Sequence, residues 1–196
     1  VKSWRRACVK RRGDDEAVRT RMMGEETFHP DTRALLAYGR ALAGGAAAPR
    51  KGGADQVLER LFVIERTKEG RWPLRTFGAE LIALFGRDLK EHDFAALFLE
   101  PDKRLFLALI EACGEAGEPG IARVRAEAAG GVAIGAEILL TPLKIEHNLG
   151  ERYLGLFQPL GGEAFLAGRP IIRLRLGSLH PPAAKAAAVR LVVNND

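Results

Sequence analysis

Residues 77–104, FGAELIALFGRDLKEHDFAALFLEPDKR, carry the densest run of helical signals in the chain. A first apolar face is formed by residues at helical spacing: Leu81, Leu84 and Phe85. Gly86 is suited to end that helix, because glycine adopts positive φ at little cost. A second apolar face follows: Phe94, Leu97 and Phe98. The stretch predicts two short helices separated by a turn at 86–88, and a third helix that starts at Pro101.

Two segments before this stretch and three after it have the pattern of β-strands. Residues 61–66 (LFVIER) and 71–77 (RWPLRTF) are rich in β-branched and aromatic residues. Pro73 places the second of them at an edge or a bulge, because proline cannot donate to the ladder. Apolar and polar residues alternate again in three later segments: 121–127, 132–143 and 152–160. This order predicts an α+β fold with a largely antiparallel, five-stranded sheet.

The string LFGRDL at Leu84–Leu89 resembles a hallmark of a small PAS-domain family of mostly uncharacterised bacterial proteins. The similarity covers residues 28–160. Gly39 stands where such proteins usually carry tryptophan, and Lys90-Glu91 replaces a common Thr-Gly. The resemblance implies a sheet with helices on one face and an N-terminal flanking helix. It also implies a sensory domain that acts in signal transduction through a protein partner or through self-association.

Three parts of the chain are distinguished by composition. Residues 1–27 form a basic extension without a sustained apolar period, which predicts disorder. Met22 and Met23 lie just before the family-like region, so the sequence leaves open whether the extension is part of the native protein. Residues 28–160 form the PAS-like domain with its N-terminal helix. Residues 161–196 form a C-terminal extension, interpreted as an added edge strand or a partner-binding arm.

The net charge of +5 lies in the two extensions. Residues 1–27 hold eight Lys and Arg against five Asp and Glu, and residues 161–196 hold five against two. Residues 28–160 hold 17 against 18, so the domain itself is not expected to present a basic binding face. Binding of nucleic acid or an anionic surface by the basic extensions is kept as an alternative function.

The segment 29–42, HPDTRALLAYGRAL, predicts the flanking helix, and a Gly- and Ala-rich linker follows it. One stripe of this helix is a candidate dimer interface: Leu35, Tyr38, Gly39 and Leu42. We expect a homodimer to which the helix contributes. Covering of the outer sheet face of its own subunit is the alternative.

Catalytic patterns are few in the sequence, which favours a protein that is not an enzyme. Serine occurs only at Ser3 and Ser178, no phosphate-binding glycine loop is present, and the four histidines show no metal-ligand spacing, so no metal is predicted. One dense ionisable cluster lies in the turn between the short helices: Asp88, Glu91, His92 and Asp93. Capping of the next helix is favoured there. The alternative is a small isomerase-like enzyme that uses Asp88, His92 and Asp93.

No cofactor is predicted. The resemblance disfavours haem, because 102–114 contains no histidine, and disfavours flavin, because the cysteine motif of flavin-binding light sensors is absent around Cys113. A filled core is expected, with a small apolar ligand as the alternative. The candidates to line such a pocket are Leu81, Phe85, Leu97, Phe98, Leu109, Ile134, Ile138 and Leu140.

Targeting and thiol signals are sparse. No apolar run reaches the length of a membrane span, and the first residues lack the apolar core of a signal peptide. Cys8 and Cys113 are the only cysteines and give no disulfide framework. We expect a cytoplasmic protein with reduced thiols.

Overall fold

The computed structural model describes residues 27–43, 55–143 and 151–182. The helices are α1 (Pro30–Ala43), the single turn α2 (Asp55–Leu58), α3 (Ala79–Phe85) and α4 (Asp102–Ala116). Three 3₁₀ turns are formed by Phe94–Leu97, Ala129–Gly131 and Glu163–Leu166. The strands are β1 (Leu61–Glu65), β2 (Leu74–Phe77), β3 (Gly120–Ala128), β4 (Ala133–Leu143), β5 (Arg152–Pro159) and β6 (Ile171–His180).

The strands form one antiparallel sheet in the order β2-β1-β5-β4-β3-β6. The predicted α+β class and antiparallel pairing are confirmed, but the sheet has six strands rather than five. The additional strand β6 pairs with β3 and lies within the segment 161–196. Of the two interpretations left open for that segment, an added edge strand or a partner-binding arm, β6 is the edge strand; it was not counted in the sheet because the family resemblance ended at residue 160.

The inner face of the sheet packs against α3, the 3₁₀ turn at Phe94–Leu97 and α4. Strand β4 contributes the alternate residues that its pattern predicted: Ile134, Ala136, Ile138 and Leu140. Phe62 and Tyr153 also point inward, so their neighbours Val63 and Leu154 face the outer side. The main hydrophobic core therefore lies between the sheet and these helices.

The turn at 86–88 begins with the left-handed backbone conformation that was expected of its glycine. Gly86 adopts φ 64° and ends α3. A Cβ atom at this position would also lie 2.7 Å from Cβ of Pro170, just before β6. Pro73 precedes the edge strand β2 and forms an isolated bridge with Asp93, which agrees with the edge position predicted for it.

No helix within the described ranges is long and apolar enough to cross a bilayer. Cys113 is buried, and burial raises the pKa of its thiol to about 12. A thiol in this environment is a poor nucleophile. Cys8 lies outside the described residues.

Candidate functional site

Helix α1 lies on the outer face of the sheet, opposite α3 and α4. Leu36 is 3% exposed and is the central α1 residue of a second apolar cluster. The other buried members are Phe28, Ile121, Leu139 and Leu156. The flanking helix thus covers the sheet of its own chain, which is the second of the two arrangements left open by the sequence.

Gly39 sets the distance between α1 and the sheet. A Cβ atom at this position would lie 2.7 Å from Oγ1 and 2.8 Å from Cγ2 of Thr141 on β4. Real Cβ atoms do not approach side chains this closely, so the contact requires glycine. A tryptophan here could not be accommodated without a shift of α1 away from β4.

A buried carboxylate holds the beginning of α1 on the sheet. Glu137 is fully buried on the outer face of β4. Its Oε2 accepts from the backbone N–H of His29 at 3.0 Å, and its Oε1 accepts from Nε and Nη2 of Arg123 at 3.3 and 3.2 Å. Arg123 also donates to the carbonyl oxygen of Thr27 at 2.6 Å. The carboxylate is therefore paired and hydrogen-bonded, as a buried charge must be.

Phe28 lies between a cation and an imidazole. The guanidinium carbon of Arg123 is 5.0 Å from the centre of the Phe28 ring, within the range of a cation–π contact. The His180 ring meets Phe28 edge to face, with 4.9 Å between centroids. Burial and the nearby Arg123 charge lower the pKa of His180. A neutral His180 suits this contact, because its protonation would place a second cation beside Arg123.

A buried cation also connects α1 to the rest of the domain. Arg60 is 8% exposed and precedes β1. Its guanidinium lies 3.3 Å from Oδ2 of Asp31 in the first turn of α1 and 3.2 Å from Oε2 of Glu80 in α3. It also donates to the side-chain oxygen of Gln158 on β5. Movement of α1 would therefore change the surroundings of α3.

Two hydroxyl groups at the α1 interface lack hydrogen-bond partners among the described residues. Thr32 Oγ1 on α1 and Thr141 Oγ1 on β4 are both buried. Each such group costs about 1–3 kcal/mol, because it gives up its bonds to water without replacement. The docked position of α1 is therefore only partly optimised.

The structure places the four dimer candidates as follows. Gly39 is buried against its own sheet, whereas Leu35 and Tyr38 are half-buried. The side chain of Leu42 lies outside the described residues. The buried stripe is centred on Leu36, which the predicted stripe omitted. Because Gly39 approaches β4 closely, the side of α1 that carries Leu36 faces this strand.

All eight pocket candidates belong to one inner cluster. Side-chain rings occupy the space beside them: Phe94 lies 4.7 Å from Phe62 and 5.7 Å from Phe106, centroid to centroid. Phe98 stacks on Phe106 at 4.5 Å. A small molecule would enter this region only if these rings moved apart.

The ionisable turn makes the local contacts expected of capping residues. Oδ1 of Asp93 accepts from the backbone N–H groups of Ala95 and Trp72, at 3.3 and 3.1 Å. Asp88 accepts from the N–H of Lys90 at 2.8 Å, and His92 Nδ1 lies 3.1 Å from the Lys90 carbonyl oxygen.

His92 and Asp93 also line a shallow cleft of about 130 Å³. In that cleft, Oδ1 of Asp93 is occupied by two backbone N–H groups, which is the capping role favoured from the sequence. Among the described residues, no group of three or more His, Cys, Asp or Glu side chains is placed to hold a metal ion.

Sequence reasoning did not identify the polar residues that contact α1 or the residues just before it: Arg60, Arg123, Glu137 and His180. Glu137 alone gave a signal, as a single carboxylate within the apolar segment 132–143. Its pairing with Arg123 depends on the β3–β4 register, in which the two residues lie directly opposite each other.

The sequence profile of the PAS domain family matches residues 27–158. Among solved structures, the light-state aureochrome1 LOV domain is 9% identical, with 57% of this chain and 91% of that chain covered and a TM-score of 0.43. A light-oxygen-voltage domain studied with a flavin analogue is 17% identical, with 59% and 96% covered and a TM-score of 0.42. An RNA-binding light-oxygen-voltage receptor is 13% identical, with 82% and 63% covered and a TM-score of 0.42. No curated protein matches the chain.

The expectation that flavin is disfavoured was wrong. The similar structures are light-oxygen-voltage domains, and one was studied with a flavin analogue. The exclusion used the absence of one short motif around Cys113, and a missing motif does not exclude a ligand from a fold.

The family match covers two thirds of the sequence and spans α1, the helical middle and strands β1 to β5. The chain belongs to the PAS domain family.

Proposed function

We propose that this PAS domain is a sensory and protein-interaction module whose output is the docking of α1 on the outer sheet face. The interface that Gly39 and Thr141 define carries this proposal. Each fully buried apolar side chain of its small cluster contributes about 1.5–3 kcal/mol. The two unpaired hydroxyl groups and the desolvation of Glu137 oppose that gain. In this proposal the docked and undocked states of α1 have similar free energies, so that a signal can shift the equilibrium between them.

The input of the proposed sensor is a change in packing of the inner cluster, caused by a small apolar ligand or by another perturbation. Strand β4 connects the two sides of the sheet, because Ile138 and Leu140 face the inner cluster while Leu139 and Thr141 face α1. A displacement of β4 by a ligand would therefore act on the surface where α1 docks. Native mass spectrometry of the purified chain tests for a retained small molecule.

In this proposal the docking of α1 is passed on by self-association, with a homodimer formed around the docked helix. Thr141 lies opposite Leu154, and Leu154 lies opposite Val63, so one row of outer-face residues continues beyond the contact with Gly39. Leu154 and Val63 are half-buried, as is Tyr38 on α1. Pairing of two such patches about a two-fold axis would bury them.

Light scattering on the full chain tests the dimer. The wild-type chain should have the mass of two subunits, and Tyr38→Glu should reduce it to one, because a carboxylate would be buried at the interface. Ala37→Glu places the same charge on an exposed position of α1 and should leave the mass unchanged. A monomeric wild-type chain would refute the dimer, and an unchanged mass for Tyr38→Glu would remove α1 from the interface.

A further inference from the structure

Two arginines face each other across the outer face of β3 and β6. Arg125 and Arg175 are direct register partners on these neighbouring strands. Arg125 lies two residues after Arg123, which contacts Thr27 and Phe28 on the outer face, so Arg125 points to the same side. Both side chains are exposed.

Neither arginine has an acidic partner among the described residues, although the arginines of the adjoining rows have one. Arg123 pairs with Glu137 at 3.2 Å, and Arg173 pairs with Glu127 at 2.7 Å. Like charges placed directly opposite each other on neighbouring strands destabilise a sheet. The Arg125–Arg175 pair therefore carries a repulsion that a bound anionic group would relieve.

An apolar side chain lies beside this pair. Gly135 on β4 is the other register partner of Arg125 and is exposed. Leu160 approaches to 3.7 Å from the position that a Cβ atom of Gly135 would occupy, and 46% of Leu160 is exposed. Helix α1 contacts β4 and β5 around Leu139 and Leu156, several residues away along these strands.

We propose that the surface formed by Leu160, Gly135, Arg125 and Arg175 binds an acidic polypeptide segment that carries an apolar side chain next to its carboxylates. The two guanidinium groups would pair with the carboxylates, and Leu160 would contact the apolar group. This surface lies one row beyond the Arg123–Glu137 pair that contacts Thr27 and His29, and none of its four residues contacts α1 in the interface described above, so it goes beyond the proposed self-association and names the chemistry of a further partner.

The number of cations favours a polypeptide over a nucleic acid. A nucleic acid backbone is bound through several phosphate contacts along a basic groove. On this surface the described part of the chain provides two cations without an acidic partner, Arg125 and Arg175, and Glu127 and Glu137 lie in the rows on either side. Two cations beside one leucine match a few carboxylates on a short segment.

Fluorescence anisotropy with the full chain tests this surface. The probe is a labelled peptide, Gly-Glu-Glu-Leu-Glu-Glu-Gly, at about 50 mM NaCl so that screening is weak. Arg125→Gln and Arg175→Gln should each weaken binding by about fivefold, the effect of losing one exposed ion pair. Arg104→Gln removes the same charge from the exposed face of α4 and should change it less than about twofold. A peptide with Gln in place of Glu should not bind.

Three results would overturn the proposal: absence of peptide binding, equal weakening by Arg104→Gln, or tighter binding of a DNA duplex than of the peptide. Thermal unfolding of the free chain gives a second measurement. Arg125→Gln should raise the melting temperature at low salt, because it removes the repulsion from Arg175. A lower melting temperature would mean that Arg125 already has a partner within the chain, and would also overturn the proposal.

Discussion

A Cβ atom on Gly39 would lie 2.7 Å from Oγ1 of Thr141, so the sheet of this domain admits α1 only where the helix has no side chain. Gly39→Ala gains about 1 kcal/mol of helix propensity but forces the buried Thr141 to move, which costs about 1–3 kcal/mol. We expect a net loss of about 1 kcal/mol in the free energy of unfolding. Urea denaturation of the full chain measures it.

Thr141→Ala is the matched background for this experiment. It removes both atoms that Gly39 approaches, so Gly39→Ala should then stabilise the chain by about 0.5–1 kcal/mol through helix propensity alone. The sign of the Gly39→Ala effect should therefore reverse between the two backgrounds. The same loss in both would show that α1 does not rest on Thr141.

Ile138 tests the inner core. It is fully buried on β4, and the alternation of residues 132–143 placed it there from the sequence. Ile138→Asp would bury a carboxylate without a partner and should cost about 4 kcal/mol or more, enough to unfold or aggregate the domain. Ile172→Asp, at a position that is 53% exposed, should leave the melting temperature nearly unchanged. A stable Ile138→Asp variant would mean that the faces of β4 are reversed.

Glu91 has φ 64°, a left-handed conformation that costs a non-glycine residue about 1–2 kcal/mol. Glycine removes that cost, whereas the exposed ion pair with Arg75 that would be lost contributes less than about 1 kcal/mol. Glu91→Gly should therefore raise the free energy of unfolding by about 0.5–1 kcal/mol. Glu91→Ala loses the same ion pair but keeps the strained backbone, so it should not stabilise. Equal effects of the two substitutions would argue against the left-handed conformation.

The inner half of the domain could be predicted from local patterns, and the outer half could not. Alternation along β4 assigned Ile134 and Ile138 to the core, since every second residue of a strand shares a face. The Arg123–Glu137 pair depends on the register between two strands, which alternation within each strand does not determine.

The position of α1 shows the same limit. The stripe chosen from helical spacing ran through Leu35 and Tyr38, but the contact between Gly39 and Thr141 makes Leu36 the buried residue. A helix with leucines at adjacent positions can bury either line of side chains. The surface of the sheet decides between them, and that surface is assembled from strands distant in sequence.

His180 gives a pH dependence to the contact with Phe28. Burial, and then the charge of Arg123, lower the pKa of His180 below its usual value of about 6.5, while Glu137 opposes this shift. The unfolded chain therefore binds a proton more readily than the folded chain does. Stability is greatest above the unfolded pKa and is lost as the pH falls through about 6.5 toward the lower folded value.

The measurement is the free energy of unfolding of the full chain at about pH 7.5 and about pH 5.5, on either side of the unfolded histidine pKa. Other groups also titrate in this range, so the informative quantity is the change in the difference between the two pH values. His180→Gln should reduce that difference, because glutamine cannot acquire a charge beside Arg123. His92→Gln removes a histidine from the opposite side of the domain and should leave the contribution of His180 intact. If His180→Gln and wild type lose the same stability on acidification, protonation of His180 does not disturb the contact between Phe28 and the sheet.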